Sequence, residues 1–146
     1  MDGQTRHQDG IEIEERYWPL LVVRFVGTPT DQQFQAYLER MTQLVGNGRK
    51  RVLLLDGRRA GRAPPSQRRM QAEWMQANKE QIRAVNLLML IVINSAIVRG
   101  VLTAILWFQD IPGNYKVVSS LDEALELARN EVDKSGLRLP SLQGLH

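Results

Sequence analysis

Apolar and acidic residues alternate over Ile11–Arg16, which reads IEIEER, the period-two signature of a half-exposed strand. Trp18-Pro19 interrupts it. The apolar run LLVVRFV at Leu20–Val26 predicts a second strand that returns as the hairpin partner of the first. After Gly27-Thr28-Pro29 the period changes. Thr30 and Gln33 stand at capping-box spacing, and Phe34, Tyr37, Leu38, Met41 and Val45 fall on one face of a helix that Gly46-Asn47-Gly48 ends. Arg51–Leu55 predicts a buried third strand closed by Asp56. Gly57–Pro65 reads as a loop, and Ser66 is placed to cap a helix running to about Ala84. The apolar run Leu87–Ile93 suits a strand buried on both faces. Asn94 or Ser95 then caps a helix from Ala96 to about Phe108. Pro112-Gly113-Asn114 is a turn, Tyr115–Val118 a short last strand, and Ser120 with Glu123 opens a final helix to about Val132.

The order β-β-α-β-α-β-α-β-α predicts an α/β domain: a mixed sheet of about five strands, an N-terminal hairpin plus parallel strands, with four helices. The polar residues 1–10 read as a disordered start, 11–132 as the domain, and 133–146 as a loose C-terminal tail. At 146 residues, 43% hydrophobic and 24% charged, the chain matches one globular domain. Leu87–Phe108 is long enough to span a bilayer. Asn94-Ser95, Arg99-Gly100 and Thr103 interrupt it, so the strand-cap-helix reading is preferred to a membrane span. MDGQTRHQDG lacks the apolar core of a signal peptide, and with no cysteine in the chain a cytoplasmic location is expected.

The absence of cysteine excludes disulfides, thiolate metal sites and cysteine nucleophiles. Only His7 and His146 exist, both near the ends, which argues against a buried histidine base or a catalytic triad. No carboxylates pair at catalytic spacing. The chain therefore reads as a non-enzyme, with no cofactor and no metal. Its net charge of +3 hides a local excess. Eight basic residues and one acid, Asp56, lie between Arg49 and Arg69, so the rest of the chain is net acidic. Strand ends of an α/β sheet are where such folds meet ligands and partners. The candidate docking group at this edge is Arg58, Arg59, Arg62, Ser66 and Arg69. Its expected partner is an acidic or phosphorylated protein, with a solvated basic loop as the bland reading. GRRAGRAPP lacks the ending of a phosphate-binding P-loop, and no aromatic platform or RNA-binding motif accompanies the charge, which counts against nucleic acid. Ser66 is a cap or a phosphorylation site, and Asp56 is expected to bond its own loop.

Two helices carry more apolar surface than one core face requires. Ala72, Met75 and Ile82 form a second stripe on the helix after Ser66. The Ala96–Phe108 segment is apolar nearly all round, with Gly100 and Ala104 four apart. Met75, Ile82, Gly100, Ala104 and Phe108 are accordingly the expected homodimer interface, unless the leucine-bearing tail folds back to cover them. A small-ligand binding domain, for a lipid-like or a phosphate-bearing ligand, is the alternative function.

The element order, Val52-Leu53-Leu54-Leu55-Asp56 and the stretch RGVLTAILWF at Arg99–Phe108 resemble the STAS fold of the sporulation anti-sigma-factor antagonist. The resemblance extends in particular to the SpoIIAA-like/STAS-SEC14 group of bacterial stand-alone domains, over about Ile11–Val132. It implies a regulatory or scaffold domain that signals by docking to a protein partner. Many such domains are switched by phosphorylation in an Asp-Ser-Ser/Gly loop. Ser66 lies near the matching position, in Ala63-Pro64-Pro65-Ser66-Gln67, without the preceding Asp or the following Gly.

Overall fold

The computed structural model describes residues 9–96, 98 and 111–146. Its elements are β1 (Gly10–Glu14), β2 (Leu20–Gly27), α1 (Asp31–Gly46), β3 (Arg51–Ala60), α2 (Pro65–Ala77), α3 (Lys79–Val85), β4 (Asn86–Val92), β5 (Tyr115–Val118) and α4 (Leu121–Lys134). The strands form one sheet in the order β1-β2-β3-β4-β5. β1 and β2 are antiparallel and the other pairs parallel, so the mixed sheet expected from the sequence is the one observed. The expected helix at Ala96–Phe108 falls almost wholly outside the described residues. What is seen there is its opening: Ser95 Oγ accepts from Val98 N at 3.3 Å, the pattern of an N-cap. Among the described residues no helix is long and apolar enough to cross a membrane.

Side chains alternate across the sheet and so divide the core into two layers. Leu20, Val22, Val52, Leu54, Leu88, Leu90 and Val92 face α4, where Ala124, Leu125, Ala128 and Val132 meet them. Leu21, Val23 and Leu53 point the other way, onto Phe34, Tyr37, Leu38, Met41 and Leu44 of α1. Each large side chain buried in this way contributes about 1.5–3 kcal/mol. The capping box that opens α1 is complete: Thr30 Oγ1 accepts from Gln33 N at 3.0 Å, and Gln33 Oε1 accepts from Thr30 N at 2.8 Å. At α4 only half forms. Ser120 Oγ takes Glu123 N, while the Glu123 carboxylate turns to the backbone and hydroxyl of Ser119.

Four expectations change. β3 does not stop at Asp56 but runs to Ala60, because its extension pairs with Val26 and Gly27 of β2. Ser66 does not cap its helix. Pro64 is the N-cap and Pro65 takes the first helical position, where a missing N–H costs nothing. The helix expected to reach Ala84 breaks at Asn78, whose side-chain amide and backbone N–H both bond the Trp74 carbonyl. Finally, the segment read as a loose tail is laid against the core, where Leu139, Leu142 and Leu145 pack on the α4 side, because the sheet leaves apolar surface there for them to cover.

Candidate functional site

The β2–β3 end of the sheet is built around an irregularity. Arg24 pairs with Asp56, but Val26 pairs with Arg59, so β3 carries one extra residue between them. A bulge of this kind bends a strand and re-aims its side chains. Gly57 lies within it, and Gly61 just past the end of the strand. A Cβ on Gly57 would lie 2.6 Å from Ile93 Cδ1, and one on Gly61 would lie 3.0 Å from the Gly27 carbonyl carbon. Gly61 is thus packed against backbone, and Gly57 against the end of the Ile93 side chain.

Asp56 is only 7% exposed. Its Oδ1 accepts from Arg58 N at 3.1 Å and from Arg58 Nε at 2.9 Å, and its Oδ2 accepts from Arg58 Nη2 at 2.8 Å. Burial by itself would push the Asp56 carboxyl up. The Arg58 hydrogen bonds, with the charges of Arg58 and Arg24, outweigh it and hold the group below the usual carboxylate range. The charged row continues across the sheet, since Arg24 Nη1 donates to Glu14 at 2.7 Å and to Glu12 at 3.3 Å. Burial opposes ionisation of Glu14 too, yet its hydrogen bonds from Arg24 and Arg16 leave its pKa lowered.

The remaining arginines of the edge are different. Arg59, Arg62, Arg68 and Arg69 are exposed. Among the described residues none of them forms an ion pair. Arg62 and Arg68 flank an open hollow of about 490 Å³ with Thr28, Ala63, Pro64 and Pro65, at the first turn of α2. Arg68 is tethered through Nη1 to the Ala63 carbonyl at 2.9 Å. Ser66 sits one residue inside α2, and its hydroxyl donates to Asp31 Oδ1 at 3.1 Å. Beside it Gln67, 3% exposed, donates through Nε2 to the Pro29 carbonyl at 2.7 Å and to Asp31 at 3.1 Å. These bonds tie the start of α2 to the start of α1. Of the expected docking residues, then, Arg59, Arg62 and Arg69 present guanidinium groups that form no ion pair among the described residues, Arg58 is closed onto Asp56, and Ser66 faces a carboxylate.

Of the expected dimer residues, Ile82 is 5% exposed and packs with Val45 and Val85 of its own chain, and partly buried Met75 packs beside it. Gly100, Ala104 and Phe108 lie outside the described residues. Three participants carry no motif. Gln67 looks like any helix polar residue. Arg24 is signalled only as a charge inside LLVVRFV. Arg51 is fully buried, with Nε bonding the Arg49 carbonyl at 3.0 Å and Nη2 bonding Asn47 Oδ1 at 3.0 Å and the Leu44 carbonyl at the end of α1.

A hairpin feeding a parallel sheet, with α4 on one face and α1–α3 on the other, is a STAS-like α/β fold. Solved structures of the SpoIIAA-like fold share it. A protein of the DUF3478 family with a SpoIIAA-like fold from Shewanella loihica PV-4 matches with a TM-score of 0.66 and 16% identity, over 83% of this chain and 95% of that one. The anti-sigma factor antagonist SpoIIAA in its unphosphorylated form matches with a TM-score of 0.57 and 13% identity, over 82% and 98%. An anti-sigma factor antagonist from Mycobacterium paratuberculosis matches with a TM-score of 0.56 and 14% identity, over 84% and 96%. No protein-family model matches the chain. No curated protein matches it either.

Proposed function

We propose that this protein is a non-enzymatic regulatory or scaffold domain that works in the cytoplasm by docking to a protein partner, with Arg59, Arg62 and Arg69 engaging acidic or phosphorylated side chains. The observation that carries this reading is the run of exposed arginines that form no ion pair among the described residues: Arg62 at the hollow beside the first turn of α2, Arg59 near the end of β3 and Arg69 within α2. Guanidinium forks and a helix N-terminus both favour anionic groups. The rigid bulge and the Gln67 and Ser66 bonds to Asp31 hold that edge in place. The likeness to two anti-sigma factor antagonists agrees with a regulatory role.

The test is a triple replacement, Arg59, Arg62 and Arg69 to Ser. Exposed charges contribute little to folding, so the thermal midpoint should hold. Partners recovered from the native extract by the wild-type protein should be lost, and their recovery should fall with salt, because exposed charges are screened over about 8 Å at physiological ionic strength. A folded triple variant that retains the same partners overturns the reading. A homodimer is part of the proposal, on the apolar helix expected around Gly100 and Ala104. Sedimentation should give twice the chain mass, Ala104→Glu should halve it by burying an unpaired charge, and a persistent monomer refutes it.

A further inference from the structure

We infer that the outer edge of β1 takes up an extended peptide segment of alternating apolar and basic residues, which adds to the sheet as a sixth strand. Among the described residues β1 is the end of the sheet and pairs only with β2. Among the described residues no backbone group bonds its other side. An open groove of about 660 Å³ runs between this strand and α1. Its floor is apolar: Ile11, Ile13 and Val26 from the strands, Ala36 and Tyr37 from the helix. The strand's five residues give a groove about 17 Å long, enough for five residues of an added strand. Main-chain hydrogen bonds would supply the affinity and alternate side chains the selectivity.

Charge selects the occupant. Asp9, Glu12 and Glu15 line the groove; among its described lining residues the one cation is Arg40, bonded to Glu15 at 2.5 Å, while Arg24 of β2 reaches Glu12 at 3.3 Å. Asp9 accepts from Thr28 N and Glu12 from Arg24, so these carboxylates are held in place. A second copy pairing here through its own β1 would bring Glu12 and Glu14 against their like, which is destabilising across strands. A basic strand meets no such penalty. β1 also lacks the proline, lysine or bulge that commonly closes an edge.

The probe is a fluorescein-labelled seven-residue peptide alternating Lys and Val, with the Glu and Val version as control, each read by anisotropy at low salt. The basic peptide should bind at least tenfold more tightly at the β1 groove. At saturation, the β1 amides that do not bond β2 should exchange at least tenfold more slowly. Ala36→Arg, at an exposed helical position in the groove, should keep the thermal midpoint and weaken the basic peptide at least tenfold. The inference is overturned if neither peptide binds, if β1 exchange is unchanged at saturation, if the acidic peptide protects β1 equally, or if Ala36→Arg binds as wild type. Protection of β1 that rises with protein concentration alone also overturns it, since the occupant is then a second copy.

Discussion

Asp56 and Arg58, two residues apart on β3, meet as a fork on a carboxylate, with Nε at 2.9 Å from Oδ1 and Nη2 at 2.8 Å from Oδ2. The pair closes one arginine of this sheet edge onto a carboxylate beside the β3 bulge, next to which Arg59 stays exposed. The Asp56 carboxyl is held below its ordinary value in the folded protein, so on acidification the unfolded chain takes up its proton first. Its contribution is complete above the unfolded value of about 3.9 and is lost as the pH falls through the lower folded value. Asp56→Asn should cost about 1.5–3 kcal/mol at pH 7 and flatten the loss of stability below about pH 4. Urea titrations at a series of pH values check both; an unchanged acid limb would show that the pair contributes nothing.

Arg51 is a buried cation whose partners are carbonyls and an amide rather than an acid. Burial, with the nearby charge of Arg49, lowers its pKa to about 10. The Leu44 carbonyl and Asn47 belong to the end of α1, where the helix dipole favours positive charge. Trp18 stacks on the same guanidinium, 5.0 Å from its ring centre. Lysine keeps the charge but loses the planar fork, so Arg51→Lys should lower stability by about 2 kcal/mol. Thermal melts decide this, and a neutral result would mean the fork is dispensable.

Ser66 donates to the carboxylate of Asp31, so the two act together. Ser66→Ala should cost about 1 kcal/mol. Ser66→Asp should cost more, since it sets one carboxylate against another, and Asp31→Asn should relieve the excess. A double-mutant cycle measures the coupling. Coupling near zero would separate Ser66 from Asp31.

Gly61 lies where the β3 extension passes Gly27 and Thr28, and its N–H bonds the Gly27 carbonyl at 2.8 Å. A Cβ there would stand 2.8 Å from Thr28 Oγ1 as well as against backbone. Gly61→Ala should therefore destabilise by about 1–3 kcal/mol, as overpacking does. Greater stability from the alanine, measured by chemical denaturation, would mean that the segment is a loop after all.

The alternation of IEIEER, the apolar runs at Leu20 and Leu87 and the Thr30 capping box determined the strands, the first helix and the mixed sheet. Those signals are local: side-chain period and a cap within four residues are properties of adjacent positions. Tertiary structure alone decided that β3 continues to Ala60, because Arg59 and Ala60 stay extended by pairing with Val26 and Gly27 of β2. It also decided that Arg58 closes on Asp56 while Arg59 stays open, since a bulge depends on the register of two strands whose paired residues lie 32 and 33 positions apart. Gln67 and Arg51 were hidden for the same reason. Their bonding partners, Pro29 and Leu44, lie on other elements, and no spacing along the chain records a distance that only folding creates.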